Sequence, residues 1–393
     1  MRILIFYASY GGGHLSAAKA IKDYIEKNYK EAEVKLCDCM KYINKPIEKF
    51  TTNAYKTMAK DAPKAWGMIY KLSDKGPIFH ISNFNNEVMS IKLNTLLQEF
   101  KPDIIISTHP FSTQMSAYLK KIGKIDCKIA SIMTDFASQN QWLVGNEYLD
   151  YIFVSNDEMK KQIVDKGVKE GKIYVTGIPL SARFNENFNR EEIIKDFNLD
   201  KDKKTILFFG GGEFGLANES TTDILISFLR NLKDKYQMVI ISGKNKDIYE
   251  KFRKTIEAEG IENETVLLDF TNKVPELMSI SSLVVTKPGG LTSSESLCSH
   301  LPMVIINPIP GQEEENAEYL VKHGVAIWLK EKHRSLDPTG TATRLHFENE
   351  VHSILCDKEK IENMRENTKK IAKPNSTRDI VETILNKKMI IDN

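Results

Sequence analysis

Twice along this chain a short apolar run leads into three consecutive glycines and then into an amphipathic segment. Ile3–Tyr7 precedes Gly11-Gly12-Gly13, and Lys204–Phe209 precedes Gly210-Gly211-Gly212. A buried strand followed by glycine and then a helix is the opening unit of a doubly wound α/β domain. Glycine lets the backbone turn tightly and brings main-chain N–H groups within reach of a ligand. Two such openings in 393 residues predict two domains of similar build.

The runs between them support that reading. Asp103–Ser107, Lys128–Met133 and Tyr151–Val154 in the first half, and Met238–Ile241, Thr265–Leu268, Leu283–Thr286 and Met303–Ile306 in the second, are apolar without alternation. Such runs suit parallel strands covered on both faces. Helical periodicity separates them over 15–28, 86–100, 111–122 and 156–166. Gly177-Ile-Pro-Leu-Ser-Ala-Arg183 punctuates the chain and places the boundary near residue 180. The expected division is 1–180, 181–372 and a terminal stretch 373–393, whose helix after Pro374 packs back on the first domain. Two facing domains enclose a cleft, and ligands of open α/β sheets bind at the carboxyl ends of the strands. A cleft with two such edges favours an enzyme with two substrates.

Charge and cysteine content narrow the classes. The whole chain carries +2, so it is no general binder of nucleic acid. Residues 1–180 carry +6 and residues 181–393 carry −4, which invites an anionic surface on the first domain. Cys37, Cys39, Cys127, Cys298 and Cys356 are too scattered for a disulfide framework, and Cys37-Asp-Cys39 has no partners for a tetrahedral metal site. Met1-Arg2 followed by one short apolar run does not read as a secretory signal, and no run is long enough to span a bilayer. A reducing, cytoplasmic setting is expected.

Four constellations look like sites. His14 closes Tyr10-Gly-Gly-Gly-His14 at a loop–helix junction, where it is placed as a general base or as a capping residue. Thr286-Lys-Pro-Gly-Gly-Leu-Thr292 runs from a strand into a helix start whose free N–H groups suit a pyrophosphate, with Glu295 one turn inside. Asn307–Asn316 also follows a strand and contains Gly311, Gln312 and Glu313, suited to sugar hydroxyls or to a solvated first helical turn. Ser107-Thr-His-Pro110 and Thr134-Asp-Phe136 end strands in the first half, with Trp142 shortly after. Asp135 has three readings there: orienting His14, acting as an alternative base, or capping a helix. Residues 41–75 add eight lysines against Glu48, Asp61 and Asp74, with an apolar stripe of Ile47, Phe50, Ala54 and Met58. That pattern fits an anionic membrane surface or a core-facing helix with a lysine-rich back.

Together these motifs resemble the processive diacylglycerol glucosyltransferases of bacteria and the monogalactosyldiacylglycerol synthases of plants, with the lipid-linked N-acetylglucosaminyltransferase of peptidoglycan synthesis a more distant cousin. The resemblance runs through Gly11–His14, Lys101–Pro110, Thr134–Phe136, Thr176–Pro179, Thr286–Gly290 and Pro310–Glu313. It implies a GT-B architecture, in which two facing Rossmann-like domains bound an interdomain cleft. It also implies a metal-independent, inverting transfer of a hexose from a UDP-sugar, with no cofactor, to diacylglycerol or a related lipid. His14 and Asp135 would be catalytic. Gly211, Gly212, Phe270, Pro288, Gly289, Gly290, Leu291, Thr292, Glu295, Gly311, Gln312, Glu313 and Asn316 would hold the donor. Gly12, Gly13, His109 and Trp142 would face the acceptor, and 41–75 would meet the inner face of the cell membrane. Two departures stand out: Gln139 occupies the place of a family His, and 330–346 matches nothing in the resemblance. The alternatives are a UDP-sugar 2-epimerase, a transferase to another lipid-linked acceptor, or a non-catalytic nucleotide-sugar sensor.

Overall fold

The computed structural model describes residues 1–9, 11–43, 45–46, 87–210, 225–226, 228–231, 234–330 and 341–391, together with 57–58, 65, 67–68 and 72. Two six-stranded sheets organise them. The first holds β1 (Arg2–Tyr7), β2 (Glu33–Asp38), β3 (Ile104–Ser107), β4 (Lys128–Ile132), β5 (Tyr151–Val154) and β6 (Ile173–Val175), in the order β2-β1-β3-β4-β5-β6. The second holds β7 (Lys204–Phe209), β8 (Tyr236–Ile241), β9 (Thr265–Leu268), β10 (Leu283–Thr286), β11 (Met303–Ile305) and β12 (Ala326–Trp328), in the order β12-β11-β10-β7-β8-β9. Every pairing is parallel.

The unbroken apolar runs follow from that architecture. Ile3 and Ile5 pack with Ile21 and Ile25 on one face of the first sheet, while Leu4 and Phe6 pack with Leu93, Leu97, Met115 and Leu119 on the other. Both neighbours along the strand are buried, so alternation vanishes. The second sheet is sandwiched in the same way, with Phe208 on one face and Leu207 on the other. Strands β2, β6 and β12 carry none of the apolar runs expected of the inner strands. Each is an edge strand, and two of them are three residues long. Glu33-Val-Lys-Leu-Cys-Asp38 is half-exposed along most of its length, so it lacks the apolar signature of an inner strand.

The expected helix over 86–100 is broken. Residues 91 and 92 form a turn before the helix Leu93–Phe100, where Lys92 N–H bonds Met89 O and Asn94 N–H bonds Ile91 O in tightened three-residue steps. The last helix, Ser376–Ile391, crosses to the first domain. Ile380, Val381, Ile384 and Leu385 are buried against Ile3, Ile5 and Ile21. Each such side chain contributes roughly 1.5–3 kcal/mol when fully buried. Ser376 Oγ donates to Ile178 O at 2.8 Å, which fixes the start of the crossing. No helix among the described residues is long and apolar enough to cross a membrane.

Strand order decides where ligands can sit. In both sheets the order reverses beside the first strand of the domain: between β1 and β3, and between β7 and β10. Such a switch point opens a crevice at the carboxyl ends of the strands. Gly11–His14 follows β1 and Ser107–His109 ends β3, so both motifs of the first domain meet at its crevice. Gly210 follows β7 and Lys287–Gly290 follows β10, so the second domain presents its glycines at the matching place.

Candidate active site

Two helix N-termini converge between the domains. Gly11, at φ 125°, precedes the helix Gly12–Asn28, and Gly289 precedes the helix Gly290–Cys298; neither helix start receives a side-chain cap. Their first N–H groups are left for a ligand, and the helix dipole adds positive potential there. A Cβ placed on Gly13 would sit 3.6 Å from Leu291 Cβ, so the two helices touch. Gly290 packs closer still: a Cβ there would lie 1.9 Å from the Thr134 carbonyl oxygen. Only glycine fits at that contact.

His14 is held from the first domain. Its Nδ1 lies 2.7 Å from the Thr108 carbonyl oxygen and 3.2 Å from Thr134 Oγ1. A carbonyl oxygen only accepts, so Nδ1 carries the hydrogen and Nε2 keeps its lone pair. Burial pushes the imidazole down to about 4, against a smaller upward effect of the Thr108 bond. The ring is therefore neutral near pH 7. The groups that orient it are Thr108 and Thr134, not Asp135, whose side chain bonds Asn316 instead. Thr134 thus touches His14 with its hydroxyl and Gly290 with its carbonyl. It was quoted in the sequence only as part of a motif, and its role required the fold.

The other first-domain residues divide. Gly12 has open space around it. His109 is buried as the N-cap of the helix Pro110–Lys121, where its Nδ1 accepts from Phe111 N–H at 3.2 Å and its ring meets His14 edge-on at 4.6 Å. Burial holds it well below the usual histidine range. It supports His14 from behind rather than opening to solvent. Trp142 does not reach the cleft. It is 1% exposed among Ala117, Ile129, Met133, Leu149 and Ile152, because a large indole is most stably placed inside a core.

On the second domain, Pro288 and Gly290 are buried at the turn, and Leu291 and Thr292 are half-buried. Glu295 is half-buried, and burial lifts its carboxyl to about 8. Phe270 is 61% exposed at the end of β9, with Lys244 Nζ 4.7 Å from its ring centre. An exposed aromatic face at a strand end is available to a flat base. Gly311, at φ 99°, heads the helix Gln312–Lys322, and its N–H bonds Glu314 Oε2 at 3.0 Å. That helix start is capped by protein, unlike the two above. Glu313 accepts from Ile309 N–H at 2.6 Å; burial raises its carboxyl while Lys287 opposes the rise. Gln312 is half-buried. Gly211 and Gly212 lie outside the described residues, as does most of 41–75.

Asn316 departs from the donor-binding role. It is fully buried, its Nδ2 donates to Asp135 Oδ1 and to Pro288 O, both at 3.0 Å, and its Oδ1 accepts from Phe136 N–H at 2.8 Å. Both amide hydrogens are spent on protein, so none remains for a sugar. The domains also meet through Phe136 stacked on Tyr319 at 5.1 Å and through Glu158 bonded to Lys322 and His323.

Two facing doubly wound domains, with uncapped helix starts around an imidazole, define the GT-B architecture. Solved proteins share it over their full length. These include S. aureus MnaA in its UDP co-structure (TM-score 0.64, 13% identity, 100% of this chain and 98% of that one) and Acinetobacter baumannii MurG (0.63, 14%, 98% and 99%). Anabaena Alr3699/HepE in complex with UDP-glucose matches at 0.56 with 16% identity, over 98% of this chain and 99% of that one. The monogalactosyldiacylglycerol (MGDG) synthase model matches residues 14–180, and the glycosyltransferase family 28 C-terminal domain model matches 205–384. The processive diacylglycerol beta-glucosyltransferase of Bacillus mycoides (strain KBAB4) is 30% identical over 98% of this chain and 93% of its own length. That of Bacillus subtilis (strain 168) is 28% identical over 98% and 94%. The chain belongs to the processive diacylglycerol beta-glucosyltransferase family.

Proposed function

We propose that this protein transfers a hexose, glucose by the names of the relatives above, from a UDP-sugar to diacylglycerol with inversion. One observation carries the reading: Thr134 bonds His14 on one side and abuts the uncapped helix start at Gly290 on the other. A neutral imidazole with a free Nε2 and an anion-binding helix end thereby share one junction. The diphosphate lies on the N–H groups of Gly290, Leu291 and Thr292, Glu295 meets the ribose, and Gln312 and Glu313 face the sugar. His14 Nε2 takes the proton of the acceptor hydroxyl as its oxygen attacks the anomeric carbon from the face opposite UDP. Charge building on the departing diphosphate spreads over preorganised backbone donors, which suits a reaction without a metal. Asp135, next to Thr134, supplies a carboxylate that favours positive charge developing across the cleft. UDP-glucose is an α-glycoside, so a beta-glucosyl product requires inversion.

The membrane side is the first domain. Tyr42, Met68, Leu72, Val88 and Ile91 are 43–66% exposed, and Gly67 lies against Pro310 beside the donor helix. Apolar side chains among lysines favour docking on anionic lipid at the inner face of the cell membrane, with the acceptor entering next to the cleft.

The test is incubation of the purified protein with UDP-glucose, UDP-galactose or UDP-N-acetylglucosamine and vesicles containing diacylglycerol, with and without EDTA. A β-linked glycolipid formed equally with EDTA is expected. An α-linked product rejects inversion, and epimerised nucleotide sugar without lipid product rejects the transferase.

A further inference from the structure

The hydrogen bonds of Asn316 join the catalytic loop of the first domain to the donor turn of the second. It stands on the helix Gln312–Lys322, one turn behind Glu313 and on the same face. Its carboxamide binds three groups: the Asp135 carboxylate and the Phe136 N–H after β4, and the Pro288 carbonyl after β10. A carboxamide alone among side chains of this size offers two donors and an acceptor in one plane. Aspartate loses both donors, and leucine loses everything.

We propose that Asn316 is a positioning residue that holds the Asp135 carboxylate in place while the donor turn is docked on the first domain. The proposal deepens the transfer mechanism and rests on Asp135 acting there as a carboxylate.

The surroundings support it. Asp135 is 8% exposed, and Asn316 is its single side-chain hydrogen-bond partner among the described residues. Burial lifts the Asp135 carboxyl to about 6, and the Asn316 bond is what opposes that rise. The groups that face this junction offer little substitute. Glu313, on the Asn316 helix, is a like charge coupled to Asp135. Lys287, from the β10 loop, is coupled to Glu313. His14 and His109, on the first domain, are held neutral by burial. Asn316 and Pro288 both sit on the second domain and Asp135 and Phe136 on the first, so parting of the domains withdraws Asn316 and the donor turn from Asp135 in one movement.

The experiment titrates Asp135 directly, by carbon-13 NMR of aspartate-labelled protein with Asp135→Asn assigning the signal. Wild type is compared with Asn316→Ala and with Asn316→Asp, which keeps the volume and the acceptor for Phe136 N–H. Thermal melts confirm folding, and calorimetry with UDP confirms the donor site. The Asp135 midpoint should rise by about 1 pH unit in Asn316→Ala and further in Asn316→Asp, where a second carboxyl adjoins it. The turnover number should fall at least about tenfold with the UDP-sugar KM within about threefold, and the acidic limb of the pH profile should shift with the midpoint. A midpoint unmoved in either folded variant overturns the proposal. Absence of lipid glycosylation by wild type rejects the transferase reading separately, because the titration needs no substrate.

Discussion

Replacing Gly290 by alanine tests the domain junction most directly. The new methyl would start 1.9 Å from the Thr134 carbonyl oxygen, 2.9 Å from its carbonyl carbon and 3.2 Å from Asp135 Cα. All three are backbone atoms, so no rotamer change relieves the clash. Real Cβ atoms do not approach heavy atoms closer than 3.0 Å, so the domains must part by about 1 Å at this contact. That gap separates the Gly290 turn from the loop whose Thr134 orients His14. A displacement of about 1 Å at a reacting centre costs on the order of 10²-fold in rate, or about 2.7 kcal/mol of transition-state stabilisation. Folding should suffer little, because opening a cleft relieves the overlap without unpacking either core. Gly289→Ala is the control: its Cβ meets only Glu313 Oε1, at 3.8 Å, and its backbone is at φ −63°. Transfer from UDP-glucose to diacylglycerol in mixed micelles should fall about 100-fold for Gly290→Ala and less than about threefold for Gly289→Ala. Gly290→Ala activity within threefold of wild type would refute the junction as the seat of catalysis.

Further expectations concern charge and packing. His14→Ala should lower turnover by ~10²–10⁴ while UDP binding by calorimetry is retained. With His14 neutral above about 4 and Asp135 at about 6, kcat/KM should fall below about pH 6, and that limb should be absent from the residual activity of Asp135→Asn. Glu295 binds its proton more tightly when folded, so stability should decline as pH rises from the ordinary glutamate value of 4.5 through about 8. Melting curves of Glu295→Gln should be flatter over that window. Trp142→Ala should cost ~3–5 kcal/mol in denaturant unfolding, whereas Trp142→Phe should leave the diacylglycerol KM unchanged, since the indole packs the core and not the acceptor.

Much of the architecture was legible in one dimension. Inner strands such as Ile104–Ser107 and Leu283–Thr286 are buried on both faces, which forces an unbroken apolar run that any window detects. Strands β2, β6 and β12 escaped because β2 is half-exposed along most of its length and the other two are only three residues long. The helix starts at Gly12 and Gly290 were readable because each follows a strand through glycines and lacks a capping side chain.

Contacts between distant segments were another matter. His14 was visible, but its tautomer follows from the carbonyl of Thr108, 94 residues away. Trp142 sat near the right motif and turned inward, because burial of an aromatic ring outweighs its nearness in sequence to Asp135. Asn316 lay in a stretch suited to sugar hydroxyls, yet its hydrogen bonds reach 181 residues back to Asp135. Local covalent order thus determined which backbone turns exist and which faces are apolar, since propensity and periodicity act over a few residues. Which side chains share a cleft, and which polar atoms remain free to act on a substrate, was decided only when the two sheets closed on each other and buried some of those groups at the expense of others.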